Sequence, residues 1–135
     1  MDVLLLASRS LDRFKAEELL TEAGHRVHAC FATDTWGCVA LEADCPLEHS
    51  IDVAVSTPDS ICGCFDPQGI ACSWKAGVPV VAIGARPLDA VLRYADEAIE
   101  RVTPKLVEQL ERVVEKNRAS SADGPLSAEA VEPND

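Results

Sequence analysis

Aromatic residues make up only 4% of this 135-residue chain, so any core has to be built from Leu, Val, Ile and Ala. Basic residues are also scarce, 12 against 23 acidic, which leaves a net charge of −11. A polyanion would be repelled over much of such a surface, so nucleic acid is not an expected partner. No apolar run approaches the roughly 20 residues that a membrane span needs. The first run, Val3 to Ala7, is too short for a signal-peptide core and follows an acidic Asp2. There is no glycine-rich dinucleotide fingerprint and no P-loop. No Cys-His or Ser-His-Asp set supports nucleophilic catalysis either, and the reading is of a non-catalytic protein. These absences leave a cytoplasmic, membrane-free chain of one-domain length, whose six cysteines are expected as reduced thiols or ligands rather than a disulfide framework.

Short Val- and Ile-rich runs are what the chain does have. The organising pair is Ile51-Asp52-Val53-Ala54-Val55 and Val78-Pro79-Val80-Val81-Ala82-Ile83, separated by a connection long enough for a helix. Continuous apolar runs joined by crossovers indicate parallel strands buried on both faces. Asp2 to Ala7 and Arg26 to Ala32 precede them as strands, and Glu97 to Val102 follows, polar enough for an edge. Ser10 caps a first helix whose stripe is Ala16, Leu19, Leu20 and Ala23, with Leu11 and Phe14 a turn earlier, and Gly24 stops it. Thr35 can open a short helix through Trp36, Val39, Ala40 and Ala43. Asp66-Pro67 opens another that buries Ile70, Ala71 and Trp74. Arg86-Pro87 opens a fourth, with Leu88, Val91, Leu92 and Ala95 inward and an Asp89–Arg93 pair outside. Thr103-Pro104 starts the last, marked by Leu106, Val107, Leu110, Val113 and Val114. The result is an α/β three-layer sandwich over residues 1–117, with a five-stranded parallel doubly wound sheet of order 2-1-3-4-5. Residues 118–135 read as a disordered acidic tail.

Ile51-Asp52-Val53 followed by Pro58, then Asp66-Pro67-Gln68-Gly69 and Gly77-Val78-Pro79-Val80-Val81, resembles part of the receiver domain of bacterial two-component systems. Ala95-Asp96-Glu97-Ala98 before Thr103-Pro104 resembles its last strand and entry to its last helix. The resemblance covers roughly residues 2 to 117 and implies a flavodoxin-like fold and a regulatory role. It also implies an acidic pair after the first strand to hold Mg²⁺, where Ala7 and Ser8 stand, and a phosphoacceptor aspartate ending the third, where Ser56 and Thr57 stand. The fourth strand ends in Gly84 instead of Thr or Ser, and the nearest match to the expected lysine is Arg101. The pattern resembles a pseudo-receiver, without carboxylates for a hard cation or for phosphorylation at those positions. Asp59 is close enough in the loop to be a displaced acid.

Two groups of residues are candidates for a site. Ser8, Arg9 and Ser10 at a helix amino end, with Ser56, Thr57 and Arg86 at strand ends, would favour a small anion. Cys38, Cys45, Cys62, Cys64 and Cys72 are candidate metal or redox thiols, for zinc, an iron–sulfur cluster or a disulfide, with His49 a possible further ligand. Cys62-x-Cys64 is not the usual zinc knuckle, and inert thiols remain an alternative. Two functions follow: a receiver-like regulatory domain that binds a protein partner or a second copy of itself and uses no cofactor, or a thiol-based metal or redox protein.

Overall fold

A computed structural model describes residues 1–6, 10–29, 45–48, 50–60, 63 and 65–131, the last twelve of these as backbone only. Its elements in chain order are β1 (Asp2–Leu5), α1 (Leu11–Glu22), β2 (Arg26–Ala29), β3 (Val53–Ser56), α2 (Pro67–Lys75), β4 (Val80–Ile83), β5 (Glu97–Ile99) and α3 (Leu106–Val131). Single 3₁₀ turns lie at Pro46–Glu48 and Ala90–Arg93. The five strands form one sheet of order β2-β1-β3-β4-β5, every pairing parallel, as the apolar runs require. The polar strand β5 is an edge.

Alternation along the strands divides the core in two. Val3, Leu5, Val53, Val55, Val81 and Ile83 meet Ala16 and Leu20 of α1 and Leu106, Leu110, Val113 and Val114 of α3. On the other face, Leu4, Leu6, Ala54, Val80 and Ala82 meet Ile70 of α2 and Val91 of the second 3₁₀ turn, with Phe65, Leu92 and Ala95 among the half-buried residues packed against them. The small residues there let α2 lie close. A Cβ on Gly69 would come within 3.0 Å of Leu6 Cδ2.

Three helix expectations change. In α1 the buried residues are Arg13, Ala16 and Leu20, while Leu11 and Phe14 are exposed. Positions 13, 16 and 20 follow the i, i+3, i+7 rule, whereas positions 11 and 14 point well away from that line. In α2 the inward residues are Gly69, Ile70 and Ser73, so Ala71 and Trp74 face solvent and Cys72 is half-buried on the flank. The helix expected after Arg86-Pro87 is one 3₁₀ turn. Asp89 accepts the Arg86 backbone N–H at 2.7 Å, and its own N–H donates to Arg86 O at 3.0 Å. That closed turn takes up the chain before Asp96, which must reach β4, where its Oδ2 accepts from Val80 N at 2.9 Å. The expected Asp89–Arg93 pair gives way to Asp89 with Arg86, at 3.9 Å.

The last helix runs past Arg118 to Val131. Arg118 is tied to the domain by its guanidinium, 3.2 Å from Asp52 Oδ1. Asp52 Oδ2 in turn accepts the Asp2 N–H at 2.7 Å. Asp2 has its carboxyl held below the usual aspartate value, first by the hydrogen bond from His28 at 3.1 Å, with burial opposing and Arg26 assisting. A depressed carboxylate pKa favours the fold above pH ~4, and that contribution fades as acid protonates it. The helix expected from Thr35 lies outside the described residues.

Candidate functional site

Parallel sheets present their loops and helix amino ends at the carboxyl ends of the strands, and here those are the ends of β1, β3 and β4. Ser10, the N-cap of α1, accepts from the Arg13 backbone N–H at 3.1 Å. The same oxygen lies 3.0 Å from Thr57 Oγ1, immediately after β3, a buried hydroxyl pair that latches the helix to the sheet. Thr57 is 2% exposed. Alternation along β3 places Thr57 on the α1 side and Ser56 on the α2 side, beside Ala82 of β4 in the register. Gly84, with φ of +82°, turns the chain out of β4 against the Pro58 ring, a conformation that disfavours any larger residue.

Of the six anion candidates, the structure brings Ser10 and Thr57 together. Ser56 is fully buried on the opposite side of the strand, and Arg86 is an exposed side chain near Asp89. Ser8 and Arg9 lie outside the described residues. Ser10 Oγ already serves both the helix and Thr57. Arg13 is the residue that sequence reasoning missed: it is 8% exposed, and burial pulls its guanidinium below the usual arginine value while Glu17 opposes. Its place in the line 13-16-20 was the available signal.

Ser56 Oγ is buried with no hydrogen-bond partner among the described residues. An unmade bond carries a desolvation cost, and alanine at this position removes it with little loss of volume. Ser56→Ala is expected to raise stability by about 1 kcal/mol, read as a higher midpoint in urea at unchanged slope. A fall in midpoint would mean that the hydroxyl is bonded in solution.

Among the thiols, Cys38, Cys62 and Cys64 lie outside the described residues, as do Cys30 and His49. Cys45 and Cys72 are free and half-buried. Among the described residues no group of three or more His, Cys, Asp or Glu side chains is placed to hold a metal. No helix there is long and apolar enough to cross a membrane.

A second concavity lies beside α2. It is a groove of about 500 Å³ between α2 and the turn Ala90–Arg93, floored by Ile70 and Val91 and walled by Phe65, Trp74 and Tyr94. The Trp74 and Tyr94 rings meet edge to face, 5.9 Å between centroids at 77°.

No protein-family model matches this chain, and no curated protein matches it in sequence. Solved structures do match. A CheY-like response regulator receiver domain from Methanospirillum hungatei is 16% identical, with a TM-score of 0.58 over 88% of this chain and 97% of that one. A response regulator from Thermotoga maritima, in complex with Mg²⁺ and BeF, is 14% identical, with a TM-score of 0.57 over 83% and 97%. The signal receiver domain of an HD-domain protein from Pseudomonas fluorescens is 14% identical, with a TM-score of 0.62 over 90% and 91%. With its parallel sheet in the order 2-1-3-4-5, the chain therefore has the flavodoxin-like fold of response-regulator receiver domains.

Proposed function

We propose that this chain is a receiver-like regulatory domain that acts through protein contacts and is not phosphorylated on an aspartate. The observation that carries the reading is at the end of β3. The fold resemblance calls for an ionised carboxylate there, and Thr57 stands buried in its place, bonded to Ser10. Ala7 and Ser8 supply no carboxylate after β1, so a hard cation lacks the oxygen ligands it needs around that position. A phosphoryl group transferred to this region would have only a hydroxyl to attack it, with no base or metal in the sequence positions that activate one.

Incubation with acetyl phosphate and Mg²⁺ followed by intact-mass spectrometry is expected to leave the protein unmodified. A base-labile, acid-stable adduct on Asp59 would overturn the proposal, because the displaced acid would then be doing the receiver's chemistry. Elemental analysis and an absorption spectrum of protein purified without oxygen address the thiol alternative. Stoichiometric zinc or iron would turn the assignment toward Cys38, Cys45, Cys62, Cys64 and Cys72 and away from a purely interacting domain.

A further inference from the structure

At the opposite end of the sheet from Thr57, the amino ends of β1 and β2 meet α3. Met1 precedes β1 and His25 precedes β2, and the Arg26 N–H donates to Met1 O at 3.1 Å, so strand pairing sets Met1 and His25 side by side. The Met1 ammonium donates to His25 Nδ1 at 2.8 Å. That bond makes Nδ1 the acceptor, so the ring proton is on Nε2, which lies 3.7 Å from Glu111 Oε2. The imidazole is only 16% exposed. Together with Val114, Glu115 and Arg118, these residues line a cavity of about 380 Å³.

We infer that this cavity is a site for a transition-metal dication, copper(II) before the others, chelated by the Met1 amine and His25 Nδ1. Among the described residues, His, Cys, Asp and Glu side chains alone place no three ligands together, and the α-amine supplies a donor that they do not. When the metal arrives, the ammonium gives one proton to solvent, and both nitrogens then offer a lone pair. Their separation selects the metal. With metal–nitrogen bonds of about 2.0–2.1 Å, ligands at a right angle stand about 2.9 Å apart and tetrahedral ones about 3.3 Å. The gap of 2.8 Å fits the right angle. Copper(II) and nickel(II) take that angle in tetragonal N,O sites, and copper binds the tighter of the two. Tetrahedral zinc fits less well. The metal sits off the line between the two nitrogens, so the imidazole turns toward the cavity, whose volume leaves room for it. Glu111 then stands where a carboxylate commonly backs a metal-bound histidine, accepting from Nε2–H and fixing the tautomer. Glu115, one turn further along α3, and water complete the coordination. Arg118, the other cation of the lining, is held by Asp52 at 3.2 Å. A net charge of −11 draws a dication toward the surface. The inference is independent of whether the domain is phosphorylated, since no residue of this cavity belongs to the β3 end.

The test adds Cu²⁺ as its glycine complex, so that weak surface sites stay empty, to the full chain with Met1 as its first residue. Thiols are first capped with methyl methanethiosulfonate, which keeps them from reducing or binding copper. One Cu²⁺ per chain is expected, with a tetragonal electron paramagnetic resonance signal that carries nitrogen splitting. His25→Gln removes one nitrogen, a Gly-Ser extension ahead of Met1 displaces the other, and each is expected to lose the metal to glycine. Glu111→Gln is expected to weaken binding about tenfold while the signal keeps its form. His28 is bonded to Asp2 and does not line the cavity, so His28→Gln is expected to bind as wild type does. Circular dichroism checks the fold of the capped protein and of each variant. The extension changes no side chain and carries the test should His25→Gln fail that check. If capping itself unfolds the protein, Ni²⁺, which thiols do not reduce, is titrated into the uncapped chain, and the loss of one equivalent in the variants is read instead. A wild-type chain that takes no metal from glycine, or metal held equally by His25→Gln or by the extended chain, would overturn the proposal.

Discussion

Replacing Leu110 by alanine is expected to cost about 2–5 kcal/mol and to lower the melting temperature by roughly 10 °C. Leu110 is wholly buried in the larger of the two core layers, where α3 closes over the strands beside α1. Both neighbouring layers are regular and paired along their length, so the cavity left by the missing side chain has few routes to collapse. Val91 makes the comparison. It is also buried, but it is held by a single 3₁₀ turn beside an open groove, and the turn can settle inward. Val91→Ala is therefore expected to cost about 1 kcal/mol, nearer the transfer cost of the lost methyl groups alone. Urea melts of the two variants separate a stiff face from a compliant one. Equal losses would mean that the groove side is packed as firmly as the helical side.

The parts of this fold that were legible in the sequence are its short continuous apolar runs. Val53-Ala54-Val55 and Val80-Val81-Ala82-Ile83 are apolar at every position, which only a strand covered on both faces tolerates, and both are buried throughout. Polar Glu97 identified an edge for the same reason. Helix faces were less legible because single residues overrode the expected stripe. A leucine and a phenylalanine at positions 11 and 14 suggested an inward face that the true line, through Arg13, does not share. At Arg86–Asp96 the apolar spacing was helical, but Asp89 turned back on Arg86 and the remaining residues made one 3₁₀ turn. Spacing records which residues could line up, not whether a competing side chain ends the helix first. The groove could not be read from sequence, since its lining joins residues of α2 with those of a turn some twenty positions further on. Of the site, the Ser10 cap was legible from its type and place, whereas its bond to Thr57 depends on two strand ends meeting across 47 residues of chain.

Thr57→Asp places a carboxylate where the receiver fold ordinarily carries one, and it is expected to destabilise this domain by about 3 kcal/mol at pH 7. Position 57 is almost fully enclosed, and the Ser10 hydroxyl beside it is neutral and already engaged by the α1 backbone. Burial disfavours the charged form, so the folded-state pKa of the new group should lie about 2 units above its unfolded value, at 1.36 kcal/mol per unit. The sign follows from linkage: a carboxyl whose pKa is raised on folding destabilises above that raised pKa. The penalty shrinks as the pH falls through the raised folded-state pKa and vanishes only below the unfolded value of about 3.9. The deficit relative to wild type should therefore be large at pH 7 and nearly gone near pH 4. Thr57→Val is the control. It removes the hydroxyl bond to Ser10 without adding charge, and its loss of about 1 kcal/mol should be flat across the same range. Mg²⁺ should not rescue Thr57→Asp, because a single carboxylate without the acidic pair after β1 offers too few oxygens to displace the ion's water. Chemical denaturation at pH 4 and pH 7, with and without Mg²⁺, measures all of this. If Thr57→Asp were as stable as wild type at pH 7, a cation would have to be waiting at that position. The buried Arg13, or a metal, would then be supporting a phosphoacceptor pocket that the native threonine merely leaves unused, and the non-phosphorylated reading would lose its main physical support.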